Sequence, residues 1–406
     1  MSEELAVLGG KAIRSDPFPQ WPVHGDAERA SLLEALDSGR WSLGNEAVER
    51  FEETFARLHG CKYAVTVTSG TVALRTALLA AGIRAGDEVI MPAYTFQATA
   101  TAIVEANAVP VFADVDRATL TLSPTAFEAA ITPRTRFVLP VHFAGLPSDM
   151  DAILDLAARH GITVIEDACQ AHGASLDGRP VGSMGAAGCF SFQSSKNLNC
   201  GEGGAIVTSD ETLARRCRQV RNCGRGATDP ESDLGIAGNY RLTGFQAAVL
   251  NAQLTRFEGQ FATRERNAAL LTEMLADVPG IIPQYRSDRV TRHAYHLYSF
   301  RYDASVYGVS REVYLAALMG EGIAGTAGYT EPLYRMPLFA REAYGPYTAA
   351  RRERLNACPV TEAICHGEGA WLYQKLLLGS DEDTRDIGHA FAKLYRLRDH
   401  LREVRL

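Results

Sequence analysis

Short apolar runs alternate with segments of helical spacing along the first 255 residues of the chain. Runs rich in apolar and β-branched residues predict strands at residues 64–69, 88–92, 109–114, 137–141, 163–166, 189–192 and 205–208. Between most of them lie segments with helical spacing, as at residues 71–81, 98–106 and 149–160. Strands that alternate with helices form a parallel sheet covered on both faces. The pattern therefore predicts an α/β fold with a mostly parallel, seven-stranded sheet.

The last two predicted strands, near residues 189 and 205, lie close together in the sequence. The glycine-rich stretch Gly201–Gly204 lies between them, and it is too short for the crossover that joins parallel strands. We therefore expect one antiparallel strand in an otherwise parallel sheet.

The pattern changes after a helix predicted at residues 243–257. A strand is predicted at 296–302, a helix at 310–319 and a closing helix at 382–404. A chain of 406 residues also exceeds a single hydrophobic core. We predict a large domain over residues 1–255, including an N-terminal segment, and a smaller C-terminal α/β domain over residues 256–406.

Composition and charge narrow the class of protein. Apolar residues make up 46% of the chain and charged residues 22%, which is typical of a soluble globular protein. The net charge of -7 gives no general attraction to nucleic acid or to an anionic membrane. No apolar run could span a bilayer, and the acidic start lacks an export signal, so we expect a cytoplasmic protein. The eight cysteines include no C-x-x-C pair, which favours reduced thiols and no metal site.

Lys196 is the main candidate for a catalytic residue. It follows a predicted strand in the hydroxyl-rich loop 191–197, just before Gly201–Gly204. A loop lysine is usually a solvated charge, but here another strand, 163–167, ends in the carboxylate of Asp167. Pyridoxal phosphate requires an amine for a Schiff base, a carboxylate for its pyridinium nitrogen and small polar groups for its phosphate. The sequence therefore predicts an enzyme that uses this cofactor.

Further candidates follow other predicted strands. Ser69, Gly70 and Thr71 begin a helix, where backbone amides suit a phosphate, although a simple helix cap explains them equally well. Phe96 could stack on a pyridine ring or pack in the core. Asp167 could instead cap the next helix.

Two more polar residues belong to the same group of candidates. Gln170, one turn after Asp167, could reach the ring oxygen, and Ser191 could bond the phosphate. Since ligands of open parallel sheets bind beyond the carboxyl ends of the strands, we expect all these residues to converge.

Several segments together resemble the DegT/DnrJ/StrS family of pyridoxal-phosphate-dependent aminotransferases, within the fold-type-I superfamily. The resemblance runs through almost the whole chain and is carried by residues 86–96, 140–145, 166–174, 190–197, 201–204 and 238–243. It implies a fold-type-I transferase with Lys196 forming the Schiff base and Asp167 pairing with the ring nitrogen. It assigns the phosphate to Gly70, Thr71 and Ser191, the ring face to Phe96 and the ring oxygen to Gln170.

The resemblance also implies a partner subunit. Asn239 is expected to reach the phosphate of the neighbouring subunit, which would make the protein a homodimer with shared active sites. Relatives with a dehydratase activity carry His at the lysine position, so Lys196 favours transamination. The cofactor would then alternate between pyridoxal phosphate and pyridoxamine phosphate.

The acceptor ketone is harder to predict. Residues 222–225, 290–295 and 358–362 resemble the branch of scyllo-inosose aminotransferases, with aminohydroxybenzoate synthases as close neighbours. Tyrosines, among them the candidate substrate residue Tyr329, occupy 328–334, where sugar-nucleotide enzymes have a His-rich segment. We expect amino transfer from L-glutamine or L-glutamate to a keto-cyclitol or keto-sugar in the biosynthesis of aminocyclitol or amino-sugar secondary metabolites. The alternatives are a nucleotide-linked keto-sugar aminotransferase, a pyridoxal-phosphate-dependent dehydratase or aminohydroxybenzoate synthase-like enzyme, and a non-catalytic cofactor-binding regulator.

Overall fold

The computed structural model of the chain describes residues 4–42, 44–226, 237–351 and 356–406. The prediction of a cytoplasmic location rests partly on the first three residues, which lie outside these ranges. The strands are β1 Tyr63–Val67, β2 Glu88–Pro92, β3 Val109–Ala113, β4 Thr135–Val138, β5 Thr163–Asp167, β6 Ser175–Leu176, β7 Arg179–Pro180, β8 Ala187–Ser191, β9 Gly204–Thr208, β10 Ile281–Pro283, β11 Val290–Arg292, β12 Leu297–Tyr302, β13 Gly325–Thr326 and β14 Gly369–Tyr373. The α-helices are α1 Asp26–Asp37, α2 Glu46–Leu58, α3 Gly70–Ala80, α4 Ala98–Glu105, α5 Pro124–Ala130, α6 Met150–His160, α7 Glu211–Arg221, α8 Gly244–Leu275, α9 Ala304–Tyr307, α10 Arg311–Gly320, α11 Pro337–Ala340, α12 Pro359–Ala363 and α13 Asp381–Arg396.

A seven-stranded sheet in the order β1-β9-β8-β5-β4-β2-β3 forms the centre of the molecule. Strand β9 is antiparallel to both of its neighbours, and the remaining pairs of this sheet are parallel. The predicted α/β class, strand number and single reversed strand are confirmed.

Apolar side chains leave this sheet on both faces, as buried parallel strands require. In β2, Val89 and Met91 pack into one core cluster with α3 and α4, whereas Ile90 packs into a second cluster with α5 and α6. The strands are therefore held between two helical layers, and their carboxyl ends remain free to carry polar residues.

A second sheet, in the order β10-β12-β14-β13, lies in the C-terminal part of the chain. Helix α8 leads towards it and is 32 residues long, so the prediction of a helix ending at residue 257 was wrong. The Thr243 and Gln246 capping box starts this helix, and Gly259 does not interrupt it, because a single glycine weakens a packed helix without breaking it. Since α8 runs through residue 256, the division into domains at 255/256 stays a prediction.

The N-terminal segment is attached to the C-terminal part by a buried ion pair. Lys393 Nζ donates to a Glu321 carboxylate oxygen at 2.9 Å, and both side chains are almost completely buried. The same carboxylate accepts from the backbone amides of Ala6 at 2.9 Å and Ile13 at 3.1 Å. These long-range contacts fix the position of residues 6–13 against the C-terminal part of the chain.

Candidate active site

Two neighbouring strand ends bring Lys196 and Asp167 together. Asp167 is the last residue of β5, which pairs in parallel with β8, and β8 ends at Ser191. The loop after β8 carries Lys196, whose backbone N–H donates to the Gln193 carbonyl at 2.8 Å. The charge of Asp167 is close enough to act on the Lys196 amine. The two residues therefore lie in one site.

The environment of Lys196 disfavours a charged amine. Burial lowers the pKa of Lys196 from its ordinary value of 10.5, while Cys169 and Asp167 act in the opposite direction. A larger fraction of the amine is therefore neutral near pH 7 than for a solvated lysine. The neutral amine is the form that attacks an aldehyde or accepts a proton.

The carboxylate of Asp167 is held by two donors, with 4% of the residue exposed. Thr99 Oγ1 donates to Oδ2 at 2.7 Å, and the Cys169 amide donates to Oδ1 at 3.2 Å. Within the described part of the chain, no basic side chain forms a salt bridge with it. A buried carboxylate without a cationic partner is costly, so the site fits a ligand that brings a positive N–H group. The protonated ring nitrogen of pyridoxal phosphate is such a group.

The start of α3 lies against the end of β8. Ser69 caps the helix, since its hydroxyl accepts from a backbone N–H of the first turn at 3.2 Å. At Gly70, a Cβ atom would lie 2.7 Å from Ser191 Cβ and 2.9 Å from Cys169 Sγ, so a side chain has no room there. The amides of Gly70 and Thr71 thus begin a helix beside the Ser191 hydroxyl, an arrangement that suits a phosphate.

Phe96 lies between β2 and α4 and is 55% exposed. An aromatic ring with this exposure is not part of the core, so the core-packing interpretation was wrong for this residue. Its carbonyl accepts from the Thr99 N–H at 3.2 Å. One short turn therefore presents both the exposed ring and the hydroxyl that holds Asp167.

Gln170 connects Asp167's surroundings to the C-terminal part of the chain. Its Oε1 accepts from the Ala144 amide at 2.8 Å, and its side chain also forms a hydrogen bond with the Tyr329 hydroxyl. Burial raises the pKa of Tyr329, and the nearby negative charge of Asp167 acts in the same direction. The Tyr329 ring packs 5.4 Å from the Tyr94 ring, measured between centroids. Tyr329 thus lies at the edge of the same site.

Asn239 is placed differently from the other candidates. It is exposed, and its backbone pairs with that of Asn222 in an isolated bridge. No hydrogen bond among the described residues joins it to Lys196, Asp167 or Gly70.

Three residues that touch this site were not among the sequence candidates. Thr99 binds the Asp167 carboxylate, and Cys169 lies beside Gly70. Trp21 Nε1 donates to the Ser194 carbonyl at 2.8 Å, two residues before Lys196. Thr99 and Cys169 each lie within three residues of a candidate, which is only a weak indication of a role in the site. The sequence around Trp21 gives no indication that it contacts the loop of Lys196.

Two kinds of feature are missing from the described ranges. No group of three or more His, Cys, Asp and Glu side chains there is arranged to hold a metal ion. None of the helices described combines the length and apolarity needed to cross a membrane.

The sequence is similar to those of known proteins. A sequence model of the DegT/DnrJ/EryC1/StrS aminotransferase family matches residues 22–385. The L-glutamine:2-deoxy-scyllo-inosose aminotransferase of Streptomyces fradiae is 40% identical to this chain over 98% of each protein.

Solved structures share the fold. The crystal structure of 3-amino-5-hydroxybenzoic acid synthase matches with a TM-score of 0.85 and 37% identity, covering 95% of this chain and all of the other. DesI, solved in the presence of its TDP-sugar product, matches with a TM-score of 0.84 and 31% identity over 98% of each chain. These matches confirm the predicted resemblance and the fold class that it implies.

Proposed function

Because this chain belongs to the DegT/DnrJ/EryC1/StrS aminotransferase family, we propose that it transfers an amino group from L-glutamine or L-glutamate to a ketone on a cyclitol ring. The observation that carries the proposal is the placing of the Lys196 amine beside the buried Asp167 carboxylate at the carboxyl edge of the sheet. The cyclitol acceptor is supported by the Streptomyces fradiae relative, whose name gives both L-glutamine and 2-deoxy-scyllo-inosose.

Aminotransferases of this family depend on pyridoxal phosphate, and the residues of the site fit that group. Lys196 would attach it, Asp167 would pair with its ring nitrogen, and Phe96 offers an exposed ring face. The start of α3 with Ser191 would take the phosphate, and Gln170 the ring oxygen. When bound, the cofactor supplies an aldehyde that accepts the amino group and a cationic ring that withdraws electrons from the reacting carbon.

The chain's own groups would move and hold protons during the transfer. The Lys196 amine, whose pKa burial lowers, can take a proton from the donor's α-carbon and release it again. The Asp167 carboxylate would accept a hydrogen bond from the N–H of the ring. Tyr329, beside Gln170, would contact the acceptor ketone.

We also propose that two copies of the chain complete each site. Asn239 is exposed and makes none of its described hydrogen bonds to Lys196 or Asp167, so it is free to face a neighbouring subunit. A symmetric dimer would place it at the partner's phosphate, as the family resemblance implies.

An assay of amine formation tests the proposed reaction. The protein, supplied with pyridoxal phosphate, is incubated with 2-deoxy-scyllo-inosose and L-glutamine, and both the amine product and the consumed donor are quantified. We expect one donor consumed for each amine formed, with no turnover in Lys196→Ala. Turnover with a nucleotide-linked keto-sugar and none with 2-deoxy-scyllo-inosose would show that the acceptor is the keto-sugar and not a cyclitol ketone. Loss of water from the acceptor without donor consumption would overturn transamination in favour of a dehydratase.

A further inference from the structure

Two buried threonine hydroxyls form a chain of hydrogen bonds that ends on the Asp167 carboxylate. Thr95 is 2% exposed and Thr99 is 1% exposed. The Oγ1 atoms of the two threonines are 3.3 Å apart, and Thr99 Oγ1 is 2.7 Å from Asp167 Oδ2. Neither residue has a role in the proposed function as stated so far.

The direction of these hydrogen bonds follows from the chemistry of the groups. An ionised carboxylate can only accept, so Thr99 gives its single hydroxyl proton to Asp167. Thr95 must then be the donor of the bond between the two hydroxyls. The result is a fixed relay from Thr95 to Thr99 to Asp167, in which every bond points towards the negative charge.

The relay occupies only part of the carboxylate. Asp167 Oδ2 receives Thr99, and Oδ1 receives the Cys169 amide at 3.2 Å. Each carboxylate oxygen has about two acceptor positions, so one remains on each oxygen for a ligand N–H. The two protein donors therefore fix the plane of the carboxylate while leaving it able to bind a cationic group.

We propose that Thr99 is a positioning residue for the amino-transfer reaction, which holds the Asp167 carboxylate oriented towards the ring nitrogen of pyridoxal phosphate, with Thr95 fixing Thr99 in turn. This inference rests on the proposed function. The same turn carries Phe96, whose carbonyl accepts from the Thr99 amide, so the residues for the ring face and the ring nitrogen are set by one segment.

Thr99→Val tests the proposal, because it removes the hydroxyl and keeps the shape. Among the described residues, the charge of Asp167 acts to raise the pKa of Lys196, Cys169, Cys189 and Tyr329, and the variant leaves these four residues unchanged. With one charge-directed hydrogen bond lost, we expect kcat to fall roughly tenfold while KM for the ketone changes less than about twofold. We also expect the pH midpoint of the cofactor's visible absorption band to move by about half a unit or more.

Three further variants separate positioning from a merely structural role. Thr99→Ser restores the hydroxyl and should recover most of the lost kcat and the parent's spectrum. Thr101→Val, on the same helix, removes a hydroxyl whose one bond within the described ranges goes to the Gln97 carbonyl, at 3.1 Å, and should behave as the parent. Thr95→Val should have a smaller effect than Thr99→Val, and the double variant should be no worse than Thr99→Val alone, since Thr95 acts through Thr99.

The outcomes distinguish this proposal from the proposed function. If the parent shows no cofactor band and no amino transfer, the proposed function fails. If the parent is active and Thr99→Val keeps its kcat, band and pH midpoint, the positioning role is overturned. A Thr99→Val protein that loses thermal stability but shows the parent's band and pH midpoint would also overturn it, because only packing would then depend on Thr99.

Discussion

Burial lowers the pKa of single basic residues in this protein, of His59 as well as of Lys196. His59 is fully buried between Phe55 and Phe190, at ring distances of 4.6 Å and 4.2 Å. Burial lowers its pKa from 6.5 to about 4, although the bond from Nδ1 to the Val181 carbonyl at 2.9 Å acts to raise it. His59 therefore stays neutral in the folded chain at pH values where an exposed histidine becomes charged.

This shift predicts how stability depends on pH. Between about pH 6.5 and 4 the unfolded chain binds a proton at His59 that the folded chain does not, so stability falls as the pH falls through that window. From pH 7 to pH 5 the loss due to His59 is about 2 kcal/mol. His59→Phe keeps the aromatic packing but has no group to protonate. We therefore expect its free energy of unfolding to fall by about 2 kcal/mol less than that of the parent between pH 7 and pH 5.

Urea unfolding at pH 7 and pH 5 measures this difference. His389→Gln, a substitution at an exposed position of α13, serves as the control for the loss of a histidine. A His59→Phe protein that loses as much stability as the parent between the two pH values would show that His59 is not a neutral histidine in the fold.

Residues of the site differ in how far the sequence predicts them. Lys196 and Asp167 stand out in the sequence because Asp167 ends one apolar strand and Lys196 follows another, and the carboxyl ends of parallel strands lie at one edge of the sheet. Thr99 does not, since a threonine in a helix has no distinguishing spacing. Its importance comes from a contact with Asp167, 68 positions away.

At the scale of elements, the close approach of α3 and β8 makes the candidate phosphate site. We expect Gly70→Ala to weaken pyridoxal phosphate binding roughly tenfold or more, because its Cβ must displace Ser191 or Cys169. Fluorescence titration of the cofactor-free protein measures the affinity.

Gly259→Ala is the matched control for that variant. Gly259 lies inside α8 with open space around its Cβ position, so alanine there should leave cofactor affinity unchanged and stabilise the helix by about 0.5–1 kcal/mol. If Gly70→Ala bound the cofactor as tightly as Gly259→Ala, the start of α3 would not be the phosphate site.

Most elements follow from the periodicity of the sequence, but their ends do not. The seven strands of the central sheet are close to their predicted positions because buried parallel strands are continuous apolar runs. Helix α8 continues to Leu275, well past its predicted end, because burial of residues such as Phe261 and Leu271 outweighs the weak helix propensity of Gly259. The residues against which α8 packs come from other parts of the chain, so its local sequence does not show where the helix ends.

At the scale of the whole molecule, the buried pair of Lys393 and Glu321 attaches the N-terminal segment to the C-terminal part of the chain. Removing one partner leaves an uncompensated buried charge, so Lys393→Met should cost about 3–5 kcal/mol of unfolding free energy. It should also loosen the N-terminal segment, whose Ala6 and Ile13 amides bind the same carboxylate. Urea unfolding and limited proteolysis report these two effects.

An exposed ion pair provides the comparison. Arg266 and Asp381 are 55% and 62% exposed, so Arg266→Ala should cost less than about 1 kcal/mol. Equal losses for Lys393→Met and Arg266→Ala would mean that the buried pair does not secure the N-terminal segment.

The central claim is that Lys196 and Asp167 bind pyridoxal phosphate and use it for amino transfer. The visible absorption spectrum tests this claim most directly. The purified protein is recorded with added pyridoxal phosphate, then with L-glutamine and L-glutamate in turn, alongside Lys196→Ala. We predict a visible band in the parent that is lost on adding at least one of these donors, and no donor-dependent turnover in Lys196→Ala. A parent protein without a band, or with a band that persists with both donors, would contradict the account.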